Sequence, residues 1–83
     1  MKTQRSKEEI ANWCTALIAE TLELPPHEID PSMEFQSFGF DSTALVSFAV
    51  ELEEWLGVGV EPSVLFDYPT IATLSAHLAK VPA

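Results

Sequence analysis

Gly39-Phe40-Asp41-Ser42-Thr43-Ala44-Leu45-Val46-Ser47-Phe48-Ala49-Val50-Glu51-Leu52-Glu53-Glu54-Trp55-Leu56-Gly57 reads as a turn, a capped helix and a stop. Gly39 tolerates the backbone angles of a sharp entry. Asp41 is a favoured N-cap residue, because its carboxylate accepts from first-turn amides that have no partner inside the helix. Leu45, Phe48, Ala49, Leu52, Trp55 and Leu56 then recur at helical spacing, a stripe about 120° wide at roughly 100° per residue. The spacing predicts a helix from Ser42 to about Leu56, ended by Gly57 and Gly59. Trp55, in register with the other apolar positions, is read as core and not as a binding aromatic. The Ser42 hydroxyl falls at the positive end of this helix, where free amides and a dipole of about half a charge suit a phosphate ester.

Working outward, Ser6-Lys7-Glu8-Glu9 has the form of a capping box and precedes a helix over residues 7–22. Ile10, Trp13, Cys14, Leu17, Ile18 and Thr21 make its buried face, leaving Glu8, Asn12, Glu20 and Glu23 outside, and Pro25-Pro26 is expected to stop it. In the connection over residues 24–40, Pro31 and Gly39 break structure while Ile29, Met33, Phe35 and Phe38 offer apolar anchors. Pro62 can start a short helical turn through Phe66, and Thr70 can cap a last helix whose Ile71, Leu74 and Leu78 share a face. Neither repeats nor convincing strands are present. The expectation is an all-α fold, a bundle of three main helices and one short one. A chain of 83 residues has room for one core, because such chains bury only about 60% of their unfolded surface. A single domain over residues 1–83 is expected, ordered over about 7–80, with short tails. Met1 suits a native start, and Lys80-Val81-Pro82-Ala83 reads equally as a tail or a linker stub.

An apolar fraction of 47% argues for a folded chain in spite of a net charge of -9. No apolar run approaches a membrane span, and the polar start MKTQRSKEE lacks a signal-peptide core, so a soluble cytoplasmic protein is expected. The single cysteine, Cys14, excludes an intrachain disulfide, fits a reducing compartment and reads as a small buried apolar residue. Lys2, Arg5, Lys7 and Lys80 sit at the ends, and all thirteen carboxylates fall between Glu8 and Asp67. That potential opposes nucleic-acid binding. It serves either as a solvated surface or as a means of steering toward basic partners.

A nucleophilic Ser42 would need a base, and the two histidines are His27, in a proline-bounded loop, and His77, in the last helix. The G-x-S-x-G elbow is absent, and so small a bundle lacks room for a catalytic pocket. No independent catalysis is expected. Glu51, Glu53 and Glu54 lack the spacing of a calcium loop, and no metal site is expected. The Asp41-Ser42 pair taken alone is an ordinary helix start.

Taken together, Phe35-x-x-Phe38-Gly39-Phe40-Asp41-Ser42, the core spacing down to Leu56-Gly57-Val58 and the later Leu65-Phe66-Asp67-Tyr68-Pro69-Thr70 resemble the acyl carrier protein family, polyketide-synthase carriers above all. The resemblance runs from Ile10 to Leu78. It implies that Ser42, flanked by Gly39 and Asp41, receives a 4'-phosphopantetheine group from coenzyme A whose thiol carries acyl chains as thioesters. The implied partners are a phosphopantetheinyl transferase, an acyltransferase or acyl-adenylating ligase that loads the arm, and a ketosynthase or other pathway enzymes. Neither nucleic acid nor membrane is implied, and the chain is expected to be a monomer. Two other readings remain: a peptidyl or aryl carrier, and an unmodified acidic helical adaptor in which Ser42 is only a helix start.

Partners are expected on the second helix. Ser42, Val46, Val50 and Glu54 are spaced by four along one side, and with Thr43, Ser47 and Glu51 they would form a small apolar patch edged by acid. Alternatively, Val46 packs beneath the long connection. Thr43 stands where such carriers usually have a large apolar residue, and Phe38 where leucine is common.

Overall fold

Ser6 Oγ accepts from the Glu9 amide at 3.0 Å, and Glu9 Oε1 accepts from the Ser6 amide at 2.9 Å, so the predicted capping box is formed. It opens α1 (Lys7–Leu22) in a computed structural model that describes residues 5–80. Residues 1–4 and 81–83, and with them the expected tails, lie outside the described residues. α1 buries Ile10, Cys14, Ile18 and Ala19, with Trp13 and Leu17 half-buried at the edge of that face. Thr21, expected inside, is exposed: it lies in the last turn and its hydroxyl donates back to the Leu17 carbonyl at 2.8 Å.

The stop also differs from expectation. Glu23 adopts a left-handed conformation, φ 59°, its amide directed at the Ala19 and Glu20 carbonyls, and the Leu24 amide bonds Ala19 at 2.9 Å. These are the bonds of a Schellman end, which closes the helix before the prolines are reached. Pro26, which has no amide to lose at a first helical position, starts a 3-10 turn, Pro26–Glu28.

The connection is pinned, though not by all four expected anchors. Ile29 and Phe35 are buried and Phe38 is half-buried, but Met33 is exposed. Asp30 accepts from both the amide and the hydroxyl of Ser32, at 2.9 and 2.7 Å, and the Met33 amide bonds the Asp30 carbonyl. This tight turn carries Met33 out to the surface. The two Ser32 bonds also hold the Asp30 carboxyl below its usual pKa. A second 3-10 turn, Phe35–Phe38, leads to α2.

α2 (Ser42–Leu56) buries Leu45, Phe48, Ala49 and Leu52, and Gly57 ends it at φ 78°; Gly59 has no positive φ. α3 (Pro62–Asp67) runs one residue past the expected turn. α4 (Ile71–Leu78) is capped by Thr70, which exchanges bonds with Thr73, and buries Ile71, Leu74, Ser75 and Leu78. Ser75 satisfies its hydroxyl on the Ile71 carbonyl at 2.6 Å. No strand occurs among the described residues, only a single bridge between Glu34 and Thr70. α1 packs closest to α4, and α2 to α3. Trp13 joins α1 to α2, its ring edge-on to Phe48 at 6.2 Å and stacked on Trp55 at 5.0 Å. Trp55 is therefore structural, though half-exposed. Cys14 lies in the core, and burial pushes its thiol pKa up to about 12, so it is neutral and shielded.

Candidate functional site

Three residues set the entry to α2. Gly39 is left-handed, φ 94°, and its amide bonds the Gln36 carbonyl at 3.0 Å. No atom lies within 4 Å of where a Cβ would be, so glycine is required here by the backbone angle and not by crowding. Asp41 is extended, and its Oδ1 accepts from the Ala44 amide at 2.8 Å. Between them Phe40 tilts against Phe38 at 6.3 Å and meets Phe48 edge-on at 6.5 Å, which ties the turn to the core. The sequence pattern flagged Gly39 and Asp41 and missed the pinning by Phe40, because its aromatic partner Phe48 lies two turns into the helix.

Ser42 is the first residue of α2 and is exposed, and its hydroxyl makes no hydrogen bond to another described residue. The amides of Ser42 and Thr43 stand at the open end of the helix, since Asp41 takes only that of Ala44. His77 stacks on Tyr68 at 4.2 Å, and His27 lies in the exposed turn after α1; neither bonds Ser42. Among the described residues no group of three or more His, Cys, Asp or Glu is gathered to hold a metal, and no helix is long and apolar enough to cross a membrane.

Thr43, Val46, Ser47, Val50, Glu51 and Glu54 are all exposed. Val46 is 43% and Val50 51% accessible, so Val46 does not pack beneath the connection. Ser47 and Glu51 also line a depression with Leu17 of α1, while Val46 and Val50 stand outside that depression. Phe66 on α3, 47% accessible, adds an apolar surface that sequence reading missed. With Gln36, Leu45, Leu65 and Pro69 it borders a depression of about 200 Å³. The short helix showed no face of its own in sequence.

The sequence pattern of the family described as "Phosphopantetheine attachment site" matches residues 12–78. The chain belongs to this family. It is a carrier domain, of a family that binds 4'-phosphopantetheine covalently. The carrier is 38% identical over 63 residues to polyketide synthase PksN of Bacillus subtilis, a match covering 76% of this chain and 1% of that synthase. The chain thus spans a small fraction of that relative. Among solved structures, it resembles Asl1650, an acyl carrier protein from Anabaena with a variant phosphopantetheinylation-site sequence (TM-score 0.85, 31% identity, covering 100% of this chain and 98% of that one). It also resembles a free-standing peptidyl carrier protein from Acinetobacter baumannii (TM-score 0.79, 34% identity, covering 88% and 91%). The carrier's own geometry fits the prosthetic group: an exposed hydroxyl with no competing bond, open space beside Gly39 and free amides at the helix end.

Proposed function

We propose that Ser42 Oγ is the atom esterified by 4'-phosphopantetheine, and that the chain carries acyl intermediates of a polyketide or lipid-derived pathway on that arm. The observation that carries this reading is the exposed, unbonded Ser42 hydroxyl at the capped start of α2. When bound, the group supplies a thiol that holds an acyl chain as a thioester. Everything else in the reading concerns what this chain's residues do. Asp41 and Phe40 hold the first turn so that Ser42 projects into solvent. With no base bonded to Ser42, its proton passes to the modifying enzyme. The open end of α2 favours a negative group at Ser42 by about 0.3–1 kcal/mol. The Asp41 carboxylate opposes it by like charge, so its part is capping and recognition.

Residues 1–83 act as a single non-catalytic domain, a cytoplasmic monomer. Its partners are a phosphopantetheinyl transferase, a loading acyltransferase or acyl-adenylating ligase, and a ketosynthase or other pathway enzyme. Thr43, Val46, Ser47, Val50, Glu51 and Glu54, beside Ser42, serve as the docking ridge, with an apolar centre and an acidic rim. The similarity to PksN supports polyketide cargo. A second reading, a peptidyl or aryl carrier, is favoured by the 34% identity to the peptidyl carrier of Acinetobacter.

Incubation with coenzyme A and a broad phosphopantetheinyl transferase, followed by intact mass measurement, tests the attachment. A gain of one phosphopantetheine is expected, and none in Ser42→Ala; equal gain in both would refute it. Loading by an acyltransferase as against an amino-acid-adenylating enzyme separates the two cargo readings.

A further inference from the structure

Thr43 follows Ser42 on α2, exposed and with its amide free. Within a helix a threonine hydroxyl usually finds a carbonyl three or four residues back. Thr15 and Thr21 do so on the Ala11 and Leu17 carbonyls, at 2.8 Å each, and Thr70 and Thr73 bond one another at 2.7 Å. Thr43 stands in the first turn, where the residue four back is Gly39, left-handed and outside the helix. Among the described threonines it is the one whose hydroxyl bonds no other residue. Side chains of a helix lean toward its N-terminus, so this free donor belongs to the same end of α2 as the Ser42 hydroxyl.

A phosphodiester at that end calls for donors, and the sequence offers no cation nearby. Between residues 8 and 79 the chain has no lysine or arginine. The Asp41 carboxylate, held on the Ala44 amide at 2.8 Å, repels a second negative group. Neutral donors offset that repulsion, because a hydrogen bond to an ionised oxygen is about twice as strong as one between neutral groups. An apolar residue at position 43 would supply its amide alone, whereas threonine supplies an amide and a hydroxyl. We propose that Thr43 is a positioning residue for the prosthetic arm, its hydroxyl donating to the phosphodiester on Ser42 alongside its own amide and so fixing the root of the arm at the start of α2. The proposal rests on attachment at Ser42 and gives the neighbouring residue a task that neither capping nor docking requires.

The test compares the full chain, labelled with carbon-13 and nitrogen-15, before and after modification with coenzyme A and a broad phosphopantetheinyl transferase, intact mass confirming that conversion is complete. On modification, the three-bond couplings to the Thr43 γ-carbon should move from rotamer-averaged values to those of a single χ1. The phosphorus resonance of the phosphodiester should coincide in the parent and Thr43→Ser, which keeps the hydroxyl, and be displaced in Thr43→Val and Thr43→Ala, which lack it. A merely structural threonine would move neither signal. Couplings unchanged on modification, or one phosphorus resonance common to all four proteins, would overturn the proposal. The parent's couplings decide alone where a variant resists the transferase. No mass gain in the parent overturns the attachment and this proposal with it, whereas a mass gain with unchanged Thr43 couplings overturns only the role of Thr43.

Discussion

The Phe35 amide donates to the Pro69 carbonyl at 2.8 Å, joining the segment that leads to Ser42 with the segment that leads to α4. That bond belongs to the bridge pairing Glu34 with Thr70, and a further link lies beside it, the Ala72 amide on the Pro31 carbonyl at 2.9 Å. This is why Phe35-x-x-Phe38-Gly39 and Phe66-Asp67-Tyr68-Pro69-Thr70, far apart in sequence, carry one pattern. The first positions the turn before Ser42, and the second holds the first in place. The Phe35 ring completes the join, 1% accessible and tilted against Phe48 at 5.4 Å.

Phe35→Ala should therefore cost about 3–5 kcal/mol, as for other buried aromatic truncations. Small domains have only about 5–15 kcal/mol in all. Urea unfolding followed by tryptophan fluorescence measures this, and Phe35→Leu should retain most of the stability.

Ser42→Ala should leave stability within about 0.5 kcal/mol of the parent, because no hydrogen bond is lost from an exposed site. It should abolish modification entirely. Matched denaturation curves alongside intact masses check both halves.

Asp41 can be divided into its cap and its charge. Asp41→Ala should lose about 0.5–2 kcal/mol with the bond to the Ala44 amide, whereas Asp41→Asn should lose little, since asparagine caps equally well. If the carboxylate also serves recognition, Asp41→Asn should still be modified more slowly by the transferase, measured as initial rate at fixed stability.

Val50→Asp and Glu54→Lys should each slow modification or acyl transfer while unfolding midpoints stay put, because both side chains are exposed. Transfer rates unchanged in both variants would remove the ridge from the docking reading.

Cys14 gives a pH dependence with a definite sign. Its thiol pKa rises from 9.0 to about 12 on burial, so the unfolded chain loses that proton first as pH rises. The stabilising contribution is whole below about pH 9 and is lost toward pH 12, with a limiting slope of about 1.4 kcal/mol per pH unit. The stability difference between the parent and Cys14→Ala should be flat up to about pH 9 and shrink above it, as read from urea midpoints. At neutral pH the thiol should resist iodoacetamide until the chain unfolds.

Much of the fold was legible in advance. α1 and α2 begin and end where capping and spacing put them, and α4 starts at its Thr70 cap. The misses share a cause. Thr21 satisfied the helical spacing but stays exposed in the last turn of α1 with its hydroxyl bonded back to Leu17, and Met33 is apolar like Phe35 but sits on the Asp30 turn. Glu23 closes α1 in a left-handed conformation that favours glycine or asparagine, so its residue type gave no warning.

The amino-acid sequence alone determined the helices, their caps and the placing of Ser42 at a helix start, because these depend on hydrogen bonds and periodicities that act within about four residues. Only the tertiary structure decided that Phe35 meets Pro69, that Phe40 pins the site to Phe48, that Val46 faces solvent and that Glu20 and Glu51 line the same depression between α1 and α2. Those outcomes follow from how large side chains space whole helices, a property of the packed set that no single stretch of sequence contains.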